Sequence, residues 1–299
     1  MGYLFLTVAL VCGIIKGYCG KRSSAGIKQI SDAMMVNTLR MLFCIFIGLF
    51  IVLLKSSPNA LAPNGAVLAI AALAGVGTAL FTVSWLLSVR EGAYMMVDVF
   101  LLIGAILPIT FCAVLFDEPV KLTQGIGIAL LVIAGYIMCT YNISIKGKMT
   151  FKALVLLTVC AVSNGVTDLA QKLLTKTSGG DVAVFNLYTY LFAALALGIC
   201  CLIFRAREKK TSRVERPADV IKPIIGYVLV MAICLFLNSY FKTLAATRLT
   251  ATEIYPLYQG GAVVLSMLMS AVFFKEKINL RCILGVALSF VALIMINVL

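Results

Sequence analysis

Ala113–Met138, AVLFDEPVKLTQGIGIALLVIAGYIM, is the stretch whose reading decides the fold, because the chain writes it twice. Shifted by 158 positions it returns at Ala271–Ile296 as AVFFKEKINLRCILGVALSFVALIMI. With no gap, Ala113, Val114, Phe116, Glu118, Leu122, Gly127, Ala129, Leu130 and Ala134 meet the same residue types in the second copy. Each copy is an apolar run, a short charged break carrying a glutamate (Glu118, Glu276), and a second apolar run. The pattern predicts a helical hairpin through a bilayer, and its repetition predicts two fused halves.

Working outward, Arg90 pairs with Arg248, Ala93 with Ala251 and Leu107 with Leu265 at the same offset. With small changes of offset in the loops, Asn37…Leu42-Phe43 echoes Asn186…Leu191-Phe192, and Cys12 and Gly17 echo Cys160 and Gly165. The expected units are residues 1–145 and 146–299. A chain of 299 residues that is 62% hydrophobic and 12% charged, with mean hydropathy +1.08, does not have the composition of a soluble domain. A bilayer core of about 30 Å takes roughly 20 apolar residues per helix. The length therefore predicts an all-α polytopic bundle of about ten transmembrane helices, at 3–20, 33–54, 66–89, 92–115, 122–141, 152–174, 182–204, 222–246, 250–273 and 280–298. Backbone groups in lipid must bond within their own segment, which makes helices the expected form. No basic residue precedes the apolar run of Met1–Gly13, and this run has a repeat partner in mid-chain, so it reads as a retained helix.

Composition also excludes chemistry. With no histidine, imidazole metal sites, Ser-His-Asp triads and histidine proton relays drop out. The ten cysteines lie almost wholly in apolar runs without C-x-x-C spacing and read as packing residues, so neither metal nor cofactor is expected. A net charge of +13 invites a nucleic-acid reading, but the basic residues sit in loops between spans, where they set orientation and meet anionic lipid. Loops after the odd-numbered spans hold seventeen Lys and Arg; the opposite loops hold Lys55, Lys121, Lys176 and Arg248. That asymmetry predicts both termini outside and the loop Arg205–Lys222 in the cytoplasm of a multi-pass protein of the cell membrane. Five spans per half, an odd number, make the halves inverted repeats. Small residues at helical spacing (Gly125, Gly127 and Ala129; Ala71, Ala74, Gly75 and Gly77) predict close helix contacts between the halves or with a neighbouring protomer, leaving monomer and homodimer both open. Pro108 and Pro256 fall inside spans four and nine, where they free carbonyls and bend the helix.

The chain resembles the drug/metabolite transporter superfamily, in particular its EamA-type ten-helix members. The residues that carry the likeness are the span-ending motifs Phe116-Asp117-Glu118-Pro119…Gly127 and Phe274-Lys275-Glu276-Lys277…Gly285, with Arg40 matching an arginine often found in the second span. The resemblance covers nearly the whole chain and implies a transporter fold and solute transport. It departs from this chain in orientation, since EamA-type proteins are generally drawn with both termini cytoplasmic.

A charge at a helix centre costs roughly 2.5–3.5 kcal/mol on insertion scales, so each one inside a span calls for a reason. Lys16, Arg40 and Asp98 are expected near the basic face, and Asp168, Lys172, Lys242 and Glu253 near the other. Snorkelling and local pairing account for part of this set. An inverted-repeat transporter also needs a closable barrier near each face. On that reading Asp98 with Arg40 or Lys16 forms one gate, and Asp168 or Glu253 with Lys172 or Lys242 forms the other. Between them Trp85, Asn164, Asn186, Tyr190, Asn238, Tyr255, Tyr258 and Gln259 are the candidates for a cavity wall, with an interfacial belt or interhelical bonding as their alternative use. The expected function is secondary transport, in the export direction, of a small organic solute such as an amino acid, with the bilayer as the other partner. A multidrug exporter, a membrane-embedded lipid-processing enzyme and a non-transporting scaffold are the rivals. The chain shows neither a phosphate loop nor clustered carboxylates, so the expectation is not an enzyme.

Overall fold

A computed structural model describes residues 1–55, 61–91, 94–118, 120–146, 150–178, 180–211, 216–274 and 280–297. Its helices are α1 (Gly2–Ser24), α2 (Ile30–Lys55), α3 (Gly65–Arg90), α4 (Tyr94–Gly104), α5 (Ile106–Leu115), α6 (Leu122–Lys146), α7 (Phe151–Leu173), α8 (Val182–Thr211), α9 (Pro217–Ile221), α10 (Ile225–Ala246), α11 (Ala251–Phe274) and α12 (Leu280–Asn297). Among the described residues, eight stretches are long and apolar enough to cross a membrane, with α4 and α5 acting together as one of them. Shorter apolar segments in α6 and α12 complete the ten expected positions. The protein is therefore a polytopic helical bundle. Lys275, Glu276 and Lys277 of the repeated motif, and Pro119, lie outside the described residues.

Helix starts follow local chemistry. Asn64 Oδ1 accepts the Val67 N–H at 2.8 Å to cap α3, and Thr150 does the same for Ala153 at the start of α7. At α11, Glu253 makes the carboxylate arm of a capping box, accepting both the Thr250 N–H and the Thr250 hydroxyl at 2.8 Å. Asp117 takes the left-handed conformation (φ 49°) in the turn between α5 and α6, a geometry that aspartate tolerates better than most residues.

The packing repeats itself when every span is shifted by five. The partner of α1 is α10, and the equivalent pair α7 and α3 is packed in the same way. Equivalent helices also meet one another, α2 on α8 and α6 on α12. Along the α2–α8 seam, Val52 clusters with Ala183 and Val184, Gly48 faces Leu187, Gly198 faces Thr38, and the Cys201 thiol reaches the Ser31 carbonyl. One partner number falls as the other rises, so the two equivalent helices run antiparallel, as inverted repeats require. Leu42-Phe43 and Leu191-Phe192, the echo read in the sequence, fall at the middle of this seam. In the duplicated hairpins Gly127 packs against the Ala292 carbonyl and Ile296, while Gly125 faces open space.

The fourth span differs from its expected form. It is two helices broken at Ala105, whose N–H is shared between the Leu101 and Leu102 carbonyls at 3.1 and 3.2 Å. Pro108 cannot donate to the Gly104 carbonyl four residues back, so the distortion is felt one turn before the proline itself. That freed carbonyl abuts Gly165 of α7: a Cβ there would stand 2.6 Å from the Gly104 oxygen. Conversely, a Cβ on Gly104 would stand 2.4 Å from the Ala161 carbonyl. Two glycines bring the α4 and α7 backbones together at this point. In α11, Pro256 leaves the helix continuous.

Candidate functional site

A cavity of about 70 Å³ lies between α1, α3, α4, α7, α8, α10 and α11, so both halves build its wall. Three charged side chains line it, Lys16, Asp98 and Lys242, together with Trp85, Asn164, Gln171, Tyr190, Asn238, Tyr258 and Gln259. The charges expected in two separate layers thus converge on one space. Near its middle, Asn238 donates from Nδ2 to the Tyr258 hydroxyl and to the Ala9 carbonyl, each at 2.6 Å. Gly13 sits against that pair; a Cβ would lie 2.6 Å from the Tyr258 oxygen. Toward one end of α1, Trp85 fills the room left by Gly20 and belongs to an apolar cluster with Cys19, Phe81 and Met231.

The other end is polar, and α7 organises it. Asn164, Asp168 and Lys172 recur every four residues along α7 and lead from the cavity to the helix end, and Lys176 follows in the π-helical turn Leu174–Ser178; Asn164 and Lys172, eight residues apart, are about 12 Å apart along the axis. Asp168 is fully buried and ion-paired with Lys242 of α10. Its second carboxylate oxygen accepts from Asn164 Nδ2 at 3.2 Å, and its backbone carbonyl takes the Tyr255 hydroxyl at 2.6 Å. The Lys242 ammonium also lies over the Tyr258 ring, 4.9 Å from its centroid.

One turn further out, Glu118 closes the same end. From the α5–α6 turn its carboxylate meets Lys172 at 3.3 Å and Lys176 at 2.9 Å, and it accepts the Ala251 N–H at the start of α11 at 2.9 Å. Lys172 donates in addition to the Ala246 and Leu249 carbonyls, at 3.2 and 2.6 Å. One carboxylate therefore ties the first half to two helix ends of the second. Burial alone would raise the Glu118 carboxyl. The Ala251 N–H and the two lysines outweigh it and hold its pKa below the ordinary 4.5. A depressed carboxyl pKa stabilises the fold above its unfolded value, and that stability is lost as pH falls through the folded one. Glu118→Gln is expected to melt below the wild type at pH 7, with the gap closing below about pH 4.5; a gap independent of pH would show that the charge is not what matters.

The comparisons with known proteins follow the same lines. Residues 151–298 match the model of the EamA-like transporter family. By its second half, the chain belongs to that family. The likeness to the drug/metabolite transporter superfamily read from the sequence stands with it, and the protein is a membrane transporter. The quaternary ammonium compound-resistance protein QacG of Staphylococcus sp. (strain ST94) is 27% identical over 111 residues, which are 37% of this chain and 94% of that shorter protein. A protein of known crystal structure superposes with a TM-score of 0.73 over 99% of this chain and 96% of its own, at 14% identity, a likeness of fold.

Of the residues singled out in the sequence, Trp85, Asn164, Tyr190, Asn238, Tyr258, Gln259, Lys16, Asp98 and Lys242 share the cavity wall of this EamA-type bundle. Asn186 and Tyr255 stand behind it: Asn186 accepts from the Ser239 hydroxyl at 2.6 Å, and Ser239 in turn accepts from Gln171 at 3.1 Å. Arg40 is buried outside the wall, its guanidinium donating to Asn37 Oδ1 at 2.9 Å. Glu253 is taken up by the α11 cap and meets the Tyr3 hydroxyl at 3.4 Å. Glu118 stands out in the sequence as part of the repeated motif and not as a site residue, and Lys176 and Gln171 do not stand out as site residues at all. The four-residue spacing from Lys172 to Lys176, and the repeat of the glutamate in both hairpins, were the signals available.

Proposed function

We propose that this EamA-type protein is a secondary transporter that moves a small organic metabolite, such as an amino acid, out across the cytoplasmic membrane by alternating access. The observation that carries the reading is a charged cavity within the membrane, walled by both inverted halves and shut at one end by carboxylates and lysines from different helices. A site at the pseudo-symmetry plane with a barrier toward each face is what alternation needs. The Asp168–Lys242 pair and the Glu118 cluster form one barrier, and the packing around Trp85 and Gly20 forms the other. With the excess of loop charge facing the cytoplasm, the Glu118 end faces outward. Energy comes from a gradient or from the solute itself, since the chain carries no phosphate loop.

The relationship to QacG supports a second reading, export of lipophilic cations. Lys16 and Lys242 on the wall weigh against it, because a cation would be desolvated beside two others. The test is counterflow uptake by purified protein in liposomes, run over a panel of amino acids, other metabolites and quaternary ammonium compounds. Uptake of at least one metabolite is expected, slowed by Asp98→Asn and by Asp168→Asn. A wild-type rate in Asp168→Asn would remove the gating assignment, a wild-type rate in Asp98→Asn would remove the cavity wall from the transport path, and no uptake of any solute by folded protein would remove transport.

A further inference from the structure

We propose that the cavity is a two-pole site for a small zwitterion, with Lys16 receiving its carboxylate and Asp98 its ammonium group. This rests on the transport reading and adds to it the orientation of the solute and the residues that select it. Of the two lysines on the wall, Lys242 is committed to Asp168. Lys16 has no carboxylate within 4 Å among the described residues; its ammonium lies 5.5 Å from the centre of the Phe81 ring. Asp98 has the Ser266 hydroxyl beside it and likewise no cation within 4 Å. A buried charge is retained where something completes it. Here two opposite charges on two different helices, α1 and α4, face one space without reaching each other. A single ion would complete one of them and leave the other bare, whereas a molecule bearing both charges completes both.

The neutral wall agrees in kind and in number. Gln259 is 1% exposed, lines the cavity, and has no partner for either its Oε1 or its Nε2. Gln171 on the same wall leaves its Oε1 unmet. The unmet groups amount to two acceptors and one donor. An ammonium group offers three donors and a carboxylate two acceptor oxygens. Asp98 with the two amide oxygens suits the first, and Lys16 with the Gln259 amide nitrogen suits the second. Arg40, buried behind the wall near Lys16, adds positive charge on the carboxylate side. The volume sets the scale: about 70 Å³ holds only a few water molecules, so the solute is small, on the order of an alanine or a serine.

Three probes of nearly one shape separate the poles: L-alanine, L-alanine methyl ester, which lacks the negative charge, and propionate, which lacks the positive one. Binding to the purified protein is read by calorimetry, with counterflow of labelled alanine beside it. Alanine is expected to bind at least tenfold more tightly than either analogue. Lys16→Gln should abolish the preference for alanine over the ester, and Asp98→Asn the preference for alanine over propionate. Lys16→Arg and Asp98→Glu should keep the wild-type ranking, and melting temperatures without ligand check the fold of each variant; Lys16→Met replaces Lys16→Gln should the latter fail to fold. Equal binding of the three probes, no binding of alanine, or unchanged preferences in Lys16→Gln and Asp98→Asn would each overturn the assignment. Uptake of a different solute in the wider panel, without alanine binding, would overturn the two poles alone and leave transport standing.

Discussion

Lys242→Met is expected to abolish transport and to destabilise the protein by about 3–5 kcal/mol, because it strands the carboxylate of Asp168 where no solvent reaches it. Among the described residues, the side-chain partner left to that carboxylate is the Asn164 amide at 3.2 Å, which cannot replace an ammonium. The loss should appear as a fall in melting temperature on the order of 10 °C for the purified protein. The double variant Asp168→Asn with Lys242→Met removes both charges together and keeps an acceptor for Asn164. Its stability should return to within about 1 kcal/mol of the wild type while transport stays lost. This split separates the two roles of the pair. Wild-type stability in Lys242→Met would mean that Asp168 is not held as an ion by this lysine. Transport in the double variant would mean that the pair does not gate.

The second large effect is steric. Gly104→Ala places a methyl 2.4 Å from the Ala161 carbonyl oxygen and 2.9 Å from its carbon, both backbone atoms that cannot rotate aside. To admit it, α4 and α7 must part, which costs about 1–3 kcal/mol for overpacking and more where the backbone yields little. Because α4 carries Asp98 and α7 carries Asn164, the same displacement disturbs the cavity, so uptake should fall further than stability alone accounts for. Gly125→Ala is the control: nothing stands within 4 Å of its added methyl, and alanine is the better helix former by up to about 1 kcal/mol. A Gly104→Ala protein as stable and active as Gly125→Ala would contradict the close approach.

Much of this arrangement could be read before any coordinates. Hydropathy located the spans to within a few residues because lipid demands long apolar helices, and the duplicated hairpin carried the inversion because an odd span count permits nothing else. What escaped were features that only tertiary contact creates. The break at Ala105 lies a turn away from Pro108, where the freed carbonyl rather than the ring decides the geometry. Glu118 reads in the sequence as one residue of a short charged break, and its partners lie far along the chain at Lys172, Lys176 and Ala251, brought to it by helix packing. Glu253 reads as one more charge inside a span, although Thr250-x-x-Glu253 already spelled a capping box. Of the amides and phenols that stand out in apolar runs, most line the cavity wall, and Asn186 and Tyr255 stand behind it.

The four-residue spacing along α7 makes this helix sensitive to length in a way that side-chain replacement does not capture. Adding or deleting a single residue between Asn164 and Asp168 rotates everything beyond it by about 100°. Asp168 and Lys172 would then swing away from Lys242 and Glu118, and unpaired charges would be turned toward hydrocarbon at roughly 2.5–3.5 kcal/mol each. Among descendants of this chain, α7 should vary in letters and hardly ever in count.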